Sequence, residues 1–463
     1  MYLIELSHQA ILYVWQQLAQ RVSWGSSEDK GTEVDFGLPD VRFHYGHPED
    51  YHVDVPSVIV VPAADHAWQE LLDRPPHSLN WLSATEVIPA GAKSAITGSI
   101  PVLFWGDGYE DGLKPFVERR ADGSIIFYAD IIAATFFMLS RWEETVVADR
   151  DEHGRFPGRA SVAHKQGFLD RPIVDEYALI LRTWLQVLLP GWSPSPPRFR
   201  VNLTHDIDYV WSVSWRTLAG DIAKRRDLSK GWKTLRTLLS WEMDPYLAGC
   251  YWLADVSERH NFRSAFYFKT ADSGPYDSGH NVEEGAVRAC VDELLARGHE
   301  IGFHPGYSTF DNFANFQKEK AKFDEIFGLE DYGGRQHYLR FSAPETWRIW
   351  ERAGLKYDST LGFPDFPGFR CGTCHPYQPF DVIENCQLDI IEVPLIAMDV
   401  TLRNYLSLTP QQGKDILLDL AASCQRVEGV FTMLWHNSSI FGPWQAWSKM
   451  YADVVQELSV GDF

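Results

Sequence analysis

Apolar and polar positions along the chain change period repeatedly, and each change marks an element. HQAILYVWQQL (8–18) spaces its apolar residues as a helix does. DVRFHY, SVIVVPA and SIPVLFW are short runs bounded by Gly, Pro and Asp, which predicts strands. SIIFYADIIAATFFMLSRWEE (124–144) begins with strand character and ends as a buried helix, and VDEYALILRTWLQVLL (174–189) predicts a long amphipathic helix. GWSPSPPR (191–198) then breaks the pattern, because three prolines forbid regular helix and stiffen the connection.

Beyond it, strand-like and helix-like segments alternate. FRVNLT (199–204), FRSAFYFKT (262–270), HEIGFH (299–304), YDSTLG (357–362), DIIEVPL (389–395) and VFTMLWH (430–436) predict strands. AVRACVDELLARG (286–298) predicts a helix with Val287, Cys290, Val291, Leu294 and Leu295 on one face. PETWRIWERAG (344–354), DILLDLAASCQR (415–426) and WQAWSKMYADVVQEL (444–458) predict three more. Such alternation predicts an α/β layer fold or a (β/α) barrel. A chain of 463 residues is long enough for two domains. The expected division is a mixed α/β domain at 1–190, a proline-rich linker at 191–198 and the alternating module at 199–463.

In parallel folds the strands' C-terminal ends carry the active residues. VNLTHDIDYV (201–210) runs an apolar stretch into His205, Asp206 and Asp208. The two aspartates stand two apart and face the same way, while His205 faces the opposite side. His304 and His436 end two other predicted strands.

Composition narrows the partners. Lys plus Arg number 42 against 63 Asp plus Glu, a formal charge of -21, which argues against nucleic acid or an anionic membrane surface. Aromatics reach 14% with 18 Trp, residues that line carbohydrate clefts as well as cores. No apolar run is long enough to span a bilayer, and MYLIELSHQAILYVW lacks a basic leader region, so no membrane insertion and a cytoplasmic location are expected. Six cysteines do not make a disulfide framework. CGTCH (371–375) has the spacing of a haem attachment or redox motif, but Pro376 and Pro379 break the turn that follows and favour a structured loop. GAKSAITG (91–98) lacks the spacing of a phosphate-cradling loop.

Aspartate and histidine together suit a borderline divalent ion such as zinc, with one position left open for water. A cation also accounts for two neighbouring carboxylates that would otherwise repel. Water on such an ion loses its proton near neutral pH, so the expected chemistry is metal-dependent hydrolysis.

LTHDID, GHEIGFHPGYS and FTMLWH, in this order, resemble the motifs of the polysaccharide deacetylase superfamily, the NodB-homology domain. The resemblance spans roughly residues 199–445 and is closest to a branch with a long N-terminal extra domain and a THD-x-D motif. RWEET, GRF and FLDRPIVDEY, within 141–177, also resemble the N-terminal part of that branch. The resemblance implies a distorted, TIM-like (β/α) barrel, one divalent metal ion of the Zn2+ type, and removal of an N- or O-linked acyl group, typically acetyl, from a sugar or polysaccharide intermediate. It makes Asp206 the base, Asp208 and His304 metal ligands and His436 the general acid. Arg340, in LRFSAP, loosely matches the arginine that orients the catalytic aspartate. Arg335 and Arg370 compete for that task or for an anionic group on the substrate.

One position departs from the motif. Ser308 stands where a second metal histidine is expected, and serine is a poor ligand. His337, in GGRQHYLRF (333–341), is the best substitute because it begins a candidate strand; Asp277, His280, His375 and His205 are weaker claimants. Tyr307 is positioned to stack on a sugar ring, whereas Phe303 faces the core by strand parity. Two other readings are a barrel glycoside hydrolase and a noncatalytic carbohydrate-binding or assembly protein that has lost full metal ligation.

Overall fold

A computed structural model describes residues 6–23, 41–51, 55–109, 114–195, 197–211, 232, 235–236, 244–277 and 285–461. The N-terminal part carries a four-stranded sheet. Arg42–Tyr45, Ser57–Val60 and Ile125–Phe127 run parallel, and Val117–Arg119 closes the edge antiparallel. The helix Ile131–Leu139 follows directly and is buried at every residue, as its continuous apolar run predicts. Asp130 starts it by accepting the N–H groups of Ile132 and Ala133 at 3.1 and 2.8 Å, which satisfies two donors that a helix start leaves unpaired. His8–Ser23 and Ile173–Leu188 pack against each other beside it.

Five parallel strands form the larger sheet in the order Ala397–Met398, Val430–Leu434, Arg200–Ile207, Ser264–Phe268, Glu300–Phe303. Parallel bridges continue it from Phe303 to Gly334 and from Gly334 to Asp358, and Tyr357–Asp358 pairs with Ile391–Glu392. The segment 391–398 is therefore bonded at its start to Tyr357–Asp358 and at its end to Val430–Leu434. Gly334 is required at its bridge, because a Cβ there would lie 1.8 Å from the Phe303 carbonyl oxygen. Helices cover the sheet, among them Pro245–Arg259, Gly285–Ala296, Pro410–Arg426 and Gln445–Val460.

Three expectations need correction. Leu295 does not share the buried face of its helix; it is 38% exposed while Val287, Cys290, Val291 and Leu294 are buried. YDSTLG contributes only Tyr357–Asp358 as strand. His337 does not begin a strand either. It follows the Gly334 bridge and opens the short 3-10 turn His337–Leu339.

The two parts share buried side chains in one continuous hydrophobic cluster, from Val14 and Leu18 through Phe137 to Trp347, Phe431 and Tyr451. Buried ion pairs join them as well. Glu144 accepts from Arg141 at 2.9 Å and from Arg370 at 2.9 and 2.7 Å, and Arg141 donates to the Arg370 carbonyl oxygen. Asp175 accepts from Arg21 at 2.8 Å, from the Thr373 hydroxyl at 2.6 Å and from the Cys374 N–H at 2.9 Å. CGTCH is thus a buried loop held by Asp175, and its two cysteines are free thiols. Among the described residues, no helix is long and apolar enough to cross a membrane.

Candidate metal centre

Three of the parallel strands deliver four polar residues to one end of the sheet. Asp206 lies on Arg200–Ile207, and Asp208 follows it directly; His304 and His436 come just after Glu300–Phe303 and Val430–Leu434. Together with His337 they line a pocket of about 210 Å³, walled also by Arg155, Tyr209, Tyr338, Leu339, Met398 and Tyr405. Strand parity sends His205 the other way. It is fully buried against Phe266 and donates from Nδ1 to the Trp435 carbonyl oxygen, 2.8 Å away, and burial pushes its pKa down to about 3.

Asp208, His304 and His337 each offer a ligand atom, and these atoms lie within 4.8 Å of one another. Nε2 of His304 and Nε2 of His337 are each 3.1 Å from Oδ1 of Asp208. Their other ring nitrogens point outward. His304 Nδ1 is 2.6 Å from the Arg335 carbonyl oxygen, and His337 Nδ1 is 2.8 Å from Oδ1 of Asp277. Both partners only accept, so each Nδ1 carries a proton and donates. In the neutral rings the two Nε2 lone pairs then face a carboxylate oxygen, acceptor against acceptor. A cation among the three relieves that contact, and histidines held from behind by a carbonyl and a carboxylate are the usual support for bound metal. The donor set of one carboxylate and two imidazoles, with space on the pocket side, fits a zinc-type ion.

The carboxylates draw protons as well as cations, so on His337 a proton competes with a cation for Nε2. Burial raises the Asp208 carboxyl, but His337, His304 and His436 overcome this and hold it well below the usual range. Burial lowers His337 while Asp208 and Asp277 raise it, with a net rise.

Asp206 stands beside this cluster, 3.9 Å from His304 Nε2 through Oδ2. Its Oδ1 accepts from Arg335 Nη1 at 2.9 Å. Arg335 is fully buried and fixed by Ser359 and Thr204, so its guanidinium sets the orientation of Asp206. The arginine on the aspartate is therefore Arg335. Arg340 points elsewhere, donating to the carbonyl oxygens of His153 and Tyr307 and lying over the rings of Tyr307 and Phe310. Arg370 is buried in its pair with Glu144 and does not line the pocket.

His436 faces the cluster from the far wall, its Nε2 3.6 Å from Oδ2 of Asp208. Behind it, fully buried Asp399 accepts from the ring Nδ1 at 2.7 Å and from the His436 N–H at 3.0 Å. Burial alone lowers the His436 pKa, yet Asp399, Asp208 and Asp206 raise it to about 10.

Sequence reasoning missed Asp399, although an acid closing the apolar run LIAM (395–398) is the same signal that marks Asp206. Asp277, a weaker ligand candidate by sequence, supports His337 from behind instead. His280 lies outside the described residues. Ser308 is exposed in a turn and does not line the pocket, and His375 sits with Asp175 far from it. Tyr307 stacks on Tyr276 at 4.2 Å, next to Tyr338 on the pocket rim.

A parallel α/β frame thus brings a carboxylate and two imidazoles that could hold a metal ion into one pocket with a second aspartate and a third histidine. The family model that matches the chain, over residues 77–190, describes a family of unknown function, DUF7033. No curated protein matches. Solved structures similar to the chain include a Mycobacterium smegmatis protein assigned as a polysaccharide deacetylase, at 17% identity and TM-score 0.39, covering 59% of this chain and 88% of that one. Agd3, a carbohydrate deacetylase, aligns at 10% identity and TM-score 0.35, covering 87% and 70%. A mutant of BA3943, a CE4 family pseudoenzyme with restored activity, aligns at 10% identity and TM-score 0.29, covering 57% and 65%. At such scores the functional reading rests on the site's own geometry.

Proposed function

We propose that this protein is a metal-dependent hydrolase that removes an acyl group, most simply acetyl, from a sugar or polysaccharide intermediate. The observation that carries the reading is the convergence of His304 Nε2 and His337 Nε2 on Asp208 Oδ1, with both Nδ1 atoms already committed to acceptors. In this reading 391–398 closes the parallel strands into the distorted barrel of the NodB-homology type, and residues 1–190 form a domain that braces the module at 199–463. Asp208, His304 and His337 hold the ion; His337 takes the place that Ser308 leaves vacant in the motif.

A divalent ion there supplies Lewis acidity, which draws down the pKa of water and polarises a carbonyl. Asp206, held by Arg335, accepts the proton of the attacking water. His436, held as a cation by Asp399, donates from Nε2 to the departing amine or hydroxyl. General acid and base steps of this kind are each worth about 100- to 10,000-fold. The half-exposed rings of Tyr209 and Tyr405 on the pocket walls give a sugar apolar faces to lie on.

The test is acetate release by the zinc-loaded full chain from a panel of N- and O-acetylated oligosaccharides. Release should stop on chelation, return with zinc, and be lost in Asp206→Asn. Zinc bound at one equivalent with no acetate released from any member, or chelator-insensitive cleavage of glycosidic bonds, would reject the reading.

A further inference from the structure

The sequence motif DEHGRF (151–156) has no part in the chemistry above, yet it touches the proposed metal centre. Asp151 folds the turn by accepting the N–H groups of His153 and Arg155, each at 2.9 Å, and Arg155 Nε at 2.7 Å. The buried Arg155 guanidinium then reaches across, donating to the Tyr338 carbonyl oxygen at 2.9 Å and to the Tyr405 hydroxyl at 3.0 Å. In return Arg340 donates to the His153 carbonyl oxygen at 2.8 Å. These bonds grip the residues immediately after His337.

That stretch needs gripping. Tyr338 and Leu339 have φ of 62° and 53°, two consecutive side-chain-bearing residues in the left-handed region. Such residues resist this conformation unless their surroundings impose it. His337 itself is held by its N–H on the Pro305 carbonyl oxygen at 3.1 Å and by Nδ1 on Asp277 at 2.8 Å, and relaxation at Tyr338 would pull the ring against both, away from its 3.1 Å approach to Asp208.

We propose that the 151–155 turn is a clamp that positions His337, and that Arg155 is its positioning residue, acting through the Tyr338 carbonyl rather than on substrate. The proposal rests on the metal-centre reading above. It gives the N-terminal part a direct task at the site: the ligand carried on a strained turn is held in place by the other part of the chain.

The test is zinc affinity of the metal-stripped full chain, measured by titration with Zn2+ alone. Arg155→Met should weaken binding about 10- to 100-fold, the range seen when support behind a metal ligand is removed. Arg155→Lys, which keeps the stem and charge but loses the fork, should weaken it less, and it carries the test if the methionine variant does not fold. Adding Tyr338→Asn to Arg155→Met should recover part of the loss, because asparagine enters the left-handed region more readily. General loosening of the fold would give no such rescue. A loss that Tyr338→Asn does not relieve would reject backbone restraint as the means. Unchanged affinity in both Arg155 variants, with strong loss in His337→Ala, would overturn the clamp and leave the metal centre standing. Unchanged affinity in His337→Ala itself would remove the metal-centre reading, and the clamp with it.

Discussion

Replacing Asp399 by Asn tests the acid half of the mechanism without touching a ligand or the pocket surface. In the native arrangement one carboxylate serves two donors, the His436 ring Nδ1 at 2.7 Å and the His436 N–H at 3.0 Å. An amide has one acceptor atom and one donor group, so it cannot serve both. If its oxygen stays on the backbone N–H, its NH2 donates to Nδ1 and leaves His436 neutral with a proton fixed on Nε2. A neutral imidazole is a very weak acid. The lost charge matters equally: unit charges about 4 Å apart at an effective dielectric of about 20 interact by about 4 kcal/mol, close to a thousandfold in proton affinity. Asp399 is the largest of the charges that raise His436 against burial, ahead of Asp208 and Asp206. Asp399→Asn should therefore lower kcat on an acetylated sugar by about 100- to 10,000-fold with little change in KM. In the metal-free protein, proton NMR should show the His436 titration moved down. The decisive comparison is 4-nitrophenyl acetate, whose leaving group departs without protonation and whose turnover should fall far less. Equal losses on both substrates, or sugar turnover within about threefold of native, would refute His436 as the acid that Asp399 holds charged.

The remaining predictions concern the ligands and the buried ion pairs. His304→Ala and His337→Ala should each reduce zinc bound after dialysis, while Ser308→Ala should leave both zinc content and turnover as they are; retained zinc in His337→Ala would remove it from the ligand set. Glu144→Gln leaves the buried guanidiniums of Arg141 and Arg370 without their shared anion and should cost about 3–5 kcal/mol in urea unfolding at neutral pH. Burial raises the Glu144 carboxyl, but Arg370 and then Arg141 overcome this and lower it to about 2. A depressed carboxyl contributes stability above its unfolded pKa and loses it as pH falls through the folded value. Native protein should thus weaken between about pH 4.5 and 2 through this residue, and the Gln variant should lack that part of the acid response.

Period and composition made most of the elements legible. A run such as FRVNLT can only be a strand in an alternating chain, and the helix 131–139 announces itself as buried because no face of it is polar. The failures occur where packing overrides local pattern. YDSTLG reads as six strand residues, but Asp358 and Thr360 turn their side chains to each other and the Asp358 oxygen takes the Thr360 N–H at 3.0 Å, which ends the ladder. Leu295 fits the helical stripe, yet its neighbour Leu294 already fills the position facing the core.

The site shows a sharper limit. Asp206, Asp208, His304 and His436 were legible because each directly follows or closes an apolar run, and a strand end fixes where such a residue goes. His337 obeys a different rule. The position four residues after His304 belongs to an exposed turn, so a ligand there would leave the pocket. On the neighbouring segment, Gly334 bridges Phe303, and three further residues bring a side chain level with His304. Only the inter-strand register brings His337 beside His304 and Asp208, and no local pattern records register. The arginines follow the same logic. Arg335, Arg340 and Arg370 look alike in sequence, but one lies one residue beyond the bridging glycine and must face Asp206, another stacks on Tyr307 and Phe310, and the third finds Glu144 from 226 residues away. A guanidinium tolerates burial only beside its counter-charge, so its task is set by whichever carboxylate the fold delivers, and here the N-terminal part delivers one.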